Sequence, residues 1–145
     1  MAGTFGYELD PGKLSDEEKQ EISEQIQRYH SVEELIREGD WFRLTEEGNG
    51  RFTAWQSVSG DGERSLLSLV ITEPEGNPRP LHIRWKGLNP NRSYQLTWIQ
   101  FYGCRYRVEE KVPETLSGAA LMYGGFTLPR MYGDYPSVQV LITGE

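Results

Sequence analysis

The sequence has 145 residues, which is enough for one domain with a hydrophobic core. Its 12% aromatic content, 16 Gly and 8 Pro indicate a globular protein with many turns rather than a disordered chain. The formal net charge of -7 disfavours nucleic acid and anionic membranes as partners, and no apolar run approaches the roughly 20 residues that span a bilayer.

The chain begins with a strand-like stretch, GTFGYEL at 3–9. Phe5, Tyr7 and Leu9 alternate with small or polar residues, as in a strand with one apolar face. The Asp-Pro-Gly that follows is typical of a turn. A lone glycine-rich strand leading into a helix is half of a βαβ unit, so its neighbours are expected outside this chain.

Two helices are predicted next, over 16–30 and 32–38. Ser15 and Glu18 have the spacing of a capping box at the start of the first helix, and Ser31 and Glu34 repeat it before the second. Gly39 is a plausible C-terminal cap. Within the first helix, one narrow apolar face is predicted, formed by Ile22, Ile26 and Tyr29.

From residue 40 the apolar pattern alternates, which predicts strands. The predicted strands are 41–45, 52–59, 65–72, 81–88, 93–100, 104–110, 124–129 and 138–143. Stretch 65–72 is almost entirely apolar, which predicts a central strand buried on both faces. Two alternating sets are expected to point into the core, namely Leu81, Ile83 and Trp85, and Tyr94, Leu96 and Trp98.

Many short strands separated by Gly, Asn and Pro turns predict a mainly β fold, an antiparallel β-sandwich of Greek-key type. The strand and helix before it fit a parallel architecture better, so two regions are expected, 1–39 and 40–145.

Histidine and cysteine offer no persuasive chemical site. His30 is expected at a helix end and His82 on a solvent-facing strand position, each without a metal-ligand companion. The single cysteine, Cys104, excludes an internal disulfide and a multi-cysteine metal site, and it agrees with a reducing compartment. Although Arg105 and Arg107 lie nearby, a small buried hydrophobic role is favoured for it.

Carboxylates and tryptophans are the residue types that could act on or bind a sugar. Glu8 and Asp10 would face an active-site mouth if the first strand belonged to a barrel, but Asp10 equally begins a turn. The four tryptophans could stack on sugars, yet core packing is favoured for them, because Trp85 and Trp98 alternate with Leu and Ile. The residues therefore predict no catalytic, cofactor-binding or metal-binding site.

Several stretches carry a resemblance when taken together. They are GTFGYELD at 3–10, LSDEE at 14–18, GDWFRL at 39–44, AWQSVS at 54–59, RWKGLNPNRSYQL at 84–96, SGAALMYGGFTLP at 117–129 and MYGDYPS at 131–137. In this order they resemble the end of the catalytic barrel and the C-terminal β-sandwich of the bacterial α-galactosidases of glycoside hydrolase family 36. Asn89 replaces the usual Asp and Phe126 the usual Leu, both conservatively.

The resemblance implies more than the residues alone. It implies that 1–39 are the last strand and helix of a (β/α)8 barrel, and that residue 1 lies inside a longer protein. The intact enzyme would hydrolyse terminal α-D-galactosides such as melibiose or raffinose by a retaining mechanism. Its two catalytic aspartates lie on earlier barrel strands, so no position here matches them, and this chain alone is expected to be inactive. No cofactor is implied.

Partners and location follow from the same resemblance. The missing barrel is the expected partner, the α-galactoside is bound only by the intact enzyme, and homo-oligomers are common in the family. A cytoplasmic location in a bacterium is expected. The alternative, from a different class, is a free-standing carbohydrate-binding or protein-interaction sandwich without catalysis.

Overall fold

Both predicted helices are present. The computed structural model describes residues 5–46, 50–103 and 114–145. Helix α1 spans Asp16–His30 and helix α2 spans Glu33–Glu38. The predicted capping box is formed at α1, where the Glu18 N–H donates to Ser15 Oγ (3.2 Å) and the Ser15 N–H donates to Glu18 Oε2 (2.8 Å). Both hydrogen bonds join residues three apart, so the capping box could be predicted from the sequence alone.

The second predicted capping box is wrong. Val32, not Ser31, occupies the N-cap of α2, and no side chain caps this helix. Ser31 instead has helical backbone angles and closes α1, and its hydroxyl donates to the Arg28 carbonyl oxygen at 2.7 Å. Because α1 continues through His30, Ser31 serves the end of one helix and cannot begin the next. Gly39 is the C-cap of α2, as predicted.

Among the described residues, eight strands follow the helices. Their bounds are β1 Asp40–Arg43, β2 Phe52–Val58, β3 Arg64–Ile71, β4 Leu81–Ile83, β5 Ser93–Tyr102, β6 Thr115–Ser117, β7 Phe126–Leu128 and β8 Ser137–Gly144. Seven of them lie where strands were predicted, with shifted ends. Strand β6 was not predicted, and the predicted strand 104–110 lies outside the described residues.

The strands form two antiparallel sheets. The large sheet has the order β1-β2-β3-β8-β5-β6, and the small sheet pairs β4 with β7. One buried cluster contains residues of both sheets, including Leu67 and Val140 from the large one and Ile83 and Leu128 from the small one. The mainly β sandwich predicted from the alternating pattern is therefore confirmed.

Strand β3 is central, as its apolar sequence predicted. It pairs with β2 on one side and β8 on the other. Leu67 and Leu69 enter the core between the sheets, whereas Leu66 points to the opposite face. There Leu66 and Leu141 pack against Val32 and Leu35, at the start of and within α2. Helix α2 therefore covers part of the outer face of the large sheet.

Trp98 lies on the face opposite to the one predicted. A register shift between Leu96 and Trp98 in the β5–β8 pairing inserts an extra residue into β5. Leu96 keeps to the inner face, but Trp98 packs with the α2 cluster on the outer face. After the irregularity, Ile99 takes the next inner position. A bulge therefore breaks the strict alternation of inward and outward side chains along a strand.

The first predicted strand, 3–9, is not formed in its described part. Residues 5–9 are paired with no strand among the described residues. Phe5 instead stacks on Tyr29 of α1, with ring centroids 5.1 Å apart. A strand needs a neighbouring backbone for its hydrogen bonds, and the large sheet offers this segment none.

Candidate functional site

An exposed apolar groove runs along α1. Its volume is about 580 Å³, and the segment before α1 forms one wall while the helix forms the other. Its apolar lining residues are Phe5, Tyr7, Leu9, Leu14, Ile22, Ile26 and Tyr29. Tyr7, Leu9 and Ile26 expose 39%, 47% and 38% of their surface. Apolar side chains gathered in one exposed groove are typical of an interaction surface.

Aromatic contacts shape the wall of this α1 groove. Phe5 meets Tyr7 edge to face at 5.1 Å and stacks on Tyr29 at the same distance. The Tyr7 hydroxyl donates to Gln25 Oε1 on α1. Partial burial, and then the nearby Glu21 carboxylate, raise the pKa of the Tyr7 phenol above its usual value. The segment 5–9 is therefore held against the helix by side chains rather than by a sheet.

Polar residues mark the ends of the groove. Lys19 lines it near the start of α1, and His30 and Glu33 line it near the end. His30 Nδ1 lies 3.1 Å from Glu33 Oε2. This pair ties the end of α1 to the first turn of α2.

The carboxylates singled out from the sequence do not form a catalytic pair. Asp10 Oδ1 accepts the Gly12 N–H at 3.0 Å, so this residue begins a turn, which was the competing interpretation. Glu8 is exposed. His82 is exposed, as predicted, with Nδ1 3.1 Å from Thr127 Oγ1. Nothing in this arrangement pairs a nucleophile with a base.

The four tryptophans occupy different environments. Trp85 is 1% exposed and contacts Phe126 edge to face, which confirms its predicted place in the core. Its indole N–H has no hydrogen-bond partner in the described part of the chain. Trp98 and Trp55 are half-buried, and Trp41 is 58% exposed. They do not form a four-tryptophan platform.

The described residues show no arrangement that would hold a metal ion or span a membrane as a helix. Within residues 5–46, 50–103 and 114–145, no group of three or more His, Cys, Asp or Glu side chains is arranged to hold a metal ion. None of the helices in those ranges is long and apolar enough to cross a membrane. Cys104, with Arg105 and Arg107, lies outside the described residues.

The groove itself was not predicted, although part of its signal was present. The stripe of Ile22, Ile26 and Tyr29 was expected to be an apolar face, and Tyr29 is buried at 8% exposure. What the pattern could not show is that Phe5 and Tyr7 fold back onto α1. That contact joins residues far apart in the sequence, so the helical spacing of α1 carries no signal for it.

Comparison with known proteins gives a consistent picture. Residues 52–142 match the family profile described as the glycosyl hydrolase family 36 C-terminal domain. The bifunctional α-galactosidase/sucrose kinase AgaSK of Mediterraneibacter gnavus is 41% identical over 143 residues, which are 99% of this chain and 14% of that protein. The α-galactosidase AgaA of Geobacillus stearothermophilus is 33% identical over 95% of this chain and 17% of its own length.

Solved structures agree in shape as well as in sequence. The crystal structure of family 36 AgaA from Geobacillus stearothermophilus superposes with a TM-score of 0.81 at 30% identity, over 97% of this chain and 18% of that one. The galactosidase domain of AgaSK gives 0.78 at 38% identity, with the same coverage. The chain thus spans less than a fifth of the length of these relatives. The matches favour the interpretation based on the family resemblance over that of a free-standing module.

Proposed function

The chain belongs to glycoside hydrolase family 36, and from that premise we propose that it is the C-terminal part of an α-galactosidase. In this proposal, residues 1–39 complete the catalytic barrel with its last strand and helix. Residues 40–145 form the sandwich that packs beside the barrel and stabilises it. Helix α2 joins the two regions, because it packs on the outer face of the large sheet.

The observation that carries the proposal is the α1 groove. Its apolar lining includes three large side chains, each more than a third exposed, which water solvates poorly. This chain covers 14% of AgaSK and 17% of AgaA, so most of each relative lies outside the matched part. A barrel supplied by that extra length would cover the groove and pair the backbone of residues 5–9.

The activity proposed for the intact enzyme is hydrolysis of terminal non-reducing α-D-galactosides. The relatives named above are α-galactosidases, and one AgaA variant was crystallised with raffinose. In a retaining mechanism, one carboxylate attacks the anomeric carbon and a second first donates a proton to the leaving oxygen and then activates water. We place both carboxylates outside this chain. In this proposal, the residues of this chain complete and stabilise the barrel that carries the two carboxylates.

The test is complementation of a barrel that lacks its C-terminal part. The AgaSK galactosidase domain would be truncated where this chain begins to match it, and this chain would be fused in its place. We expect no hydrolysis of an aryl α-galactoside by this chain alone or by the truncated barrel, and recovered hydrolysis by the fusion. Hydrolysis by this chain alone would refute the placement of the catalytic carboxylates.

A matched pair of variants tests the groove itself. In the fusion, Ile26→Asp would place a charge in the interface, so we expect lower activity and a lower melting temperature. Tyr123→Asp serves as control, since Tyr123 is 70% exposed and does not line the groove. Equal effects of the two variants would contradict docking through α1.

Assembly and location complete the proposal. We propose a homo-oligomeric enzyme that works in the cytoplasm of a bacterium, supported by the family resemblance and by the single cysteine of the chain. Light scattering on the active fusion measures its mass directly. A monomer at micromolar concentration would refute the assembly.

A further inference from the structure

A second cavity lies on the outer face of the large sheet, separate from the core between the sheets. It is a cleft of about 240 Å³, here called the sheet cleft, whose floor is formed by β2, β3, β5 and β8. Phe5, from the segment before α1, and Gln25 of α1 also line it. Ligand pockets for drug-sized molecules enclose roughly 300–1,000 Å³, so this one suits a single small ring.

Aromatic side chains form the walls of the sheet cleft. Trp55 projects from β2 beside Ser68 of β3, its direct partner in the register. Tyr102 of β5 and Phe5 also line the cavity. An aromatic ring offers a flat, electron-rich face, which suits the C–H groups on one face of a pyranose sugar.

The floor carries a short hydrogen-bonded chain of neutral polar groups. Gln139 Nε2 donates to Ser68 Oγ at 3.3 Å, and Gln139 Oε1 accepts from the Tyr102 hydroxyl at 3.4 Å. Gln139 and Ser68 are only 6% and 4% exposed. These bonds use one of the two amide hydrogens of Gln139 and only an acceptor position of Ser68.

Both side chains already have a protein partner, and each keeps one further hydrogen, on the Gln139 amide and on the Ser68 hydroxyl, that can be donated to a ligand in the cleft. No Asp, Glu, Lys, Arg or His lines the sheet cleft among the described residues, so neither an anion nor a cation would find a counter-charge there. The ligand that fits is neutral, rich in hydroxyl oxygens, and apolar on one face.

We propose that the sheet cleft binds one neutral sugar ring of the hexopyranose class, as a non-catalytic site on the sandwich. The ring stacks on Trp55, and its hydroxyl oxygens accept hydrogen bonds from Gln139 and Ser68. Phe5 lines both cavities, but Trp55, Ser68 and Gln139 line the sheet cleft and do not line the α1 groove, so the groups that would hold the sugar belong to the sandwich.

The first test is titration of this chain with methyl α-D-galactopyranoside, followed by calorimetry and tryptophan fluorescence. A dissociation constant on the order of 1 mM is expected for so small a ligand. Methyl α-D-glucopyranoside, titrated in parallel, reports whether the orientation of one hydroxyl matters. No saturable binding of either sugar at concentrations roughly a hundredfold higher would overturn the proposal.

The second test locates the site with a matched pair of tryptophan variants. Trp55→Ala should weaken binding by about tenfold or more, because it removes the stacking face. Trp41→Ala should leave the dissociation constant unchanged, since Trp41 lies on the same face of the sheet but does not line the cleft. An equal loss in both variants would place the sugar elsewhere.

A third variant tests the polar floor of the sheet cleft. Ser68→Ala removes the hydroxyl and should weaken sugar binding severalfold. Because Gln139 Nε2 also loses its acceptor, the melting temperature should fall as well, so circular dichroism at the titration temperature checks that the variant is folded. The Ile26→Asp variant of the α1 groove should bind the sugar normally even if the fusion enzyme fails. Undiminished binding in Ser68→Ala together with Trp55→Ala would refute the site.

Discussion

At the scale of single residues, Gly118 shows how closely two segments of the sandwich approach. A Cβ atom at this position would overlap the carbonyl oxygen of Asn89 and lie 3.0 Å from the ring of Tyr94. The Gly118 N–H donates to the Arg92 carbonyl oxygen at 2.8 Å, so the backbone is held in place. Tyr94 is equally fixed, because its hydroxyl donates to the Gly62 carbonyl oxygen and accepts the Asn89 N–H.

Gly118→Ala should therefore lower the free energy of unfolding by about 1–3 kcal/mol, the usual cost of overpacking. The measurement is urea unfolding followed by tryptophan fluorescence. Gly124→Ala is the matched control, because a Cβ at Gly124 meets nothing within 4 Å. If both substitutions had the same small effect, the close approach at Gly118 would not contribute to stability.

At the scale of elements, most local signals were predicted correctly and non-local ones were not. The local exception is the second capping box, which fails because α1 continues through His30. The capping box of α1 involves residues three apart, and strand β3 is mostly apolar, so both could be predicted from the sequence. The bulge that turns Trp98 to the outer face depends on how β5 aligns with β8. The three-residue strand β6 exists only through its pairing with β5, so its own sequence carries little signal.

The same distinction separates the two cavities. The apolar face of α1 was predictable from helical spacing, because it depends on one element. The sheet cleft combines Trp55, Ser68 and Gln139, which lie on three strands far apart in the sequence. No spacing rule predicts that these residues share one face until the strand order is known.

The capping box of α1 should make this helix sensitive to acid. The backbone N–H of Ser15 donates to the Glu18 carboxylate, and this hydrogen bond lowers the pKa of Glu18. A lowered pKa in the folded state stabilises the helix above the unfolded pKa. That contribution is lost as the pH falls through the folded pKa.

We expect the first turn of α1 to fray as the pH falls through the acidic range in which Glu18 protonates. The measurement is hydrogen exchange of the backbone amides in that turn. Glu18→Gln keeps a capping side chain but cannot titrate, so its exchange should lose this pH dependence. Ser15→Ala should instead destabilise the helix by about 1 kcal/mol at any pH. A titration unchanged in Glu18→Gln would assign the fraying to another group.

At the scale of the whole molecule, one buried side chain joins the two layers of the sandwich. Gln56 of β2 has no exposed surface. Its Nε2 donates to the Lys86 carbonyl oxygen at 2.6 Å, and its Oε1 accepts the Lys86 N–H at 2.9 Å. Lys86 follows β4 of the small sheet, so the Gln56 amide links the two sheets by a pair of hydrogen bonds to one backbone residue.

Gln56→Leu should lower the free energy of unfolding by about 1–3 kcal/mol for each buried group of Lys86 that loses its partner.

Gln56→Glu gives a sharper test, because burial raises the pKa of a carboxyl group and disfavours its charged form. The neutral acid can still donate to the Lys86 carbonyl oxygen, whereas the carboxylate cannot. Gln56→Glu should therefore be most stable below the unfolded pKa of glutamate and lose stability as the pH rises through the higher folded value. The measurement is urea unfolding of Gln56→Glu across this pH range. Gln95→Glu, at an exposed position on β5, is the control and should not show this loss of stability. A pH dependence equal in both variants would mean that the amide of Gln56 does not hold the layers together.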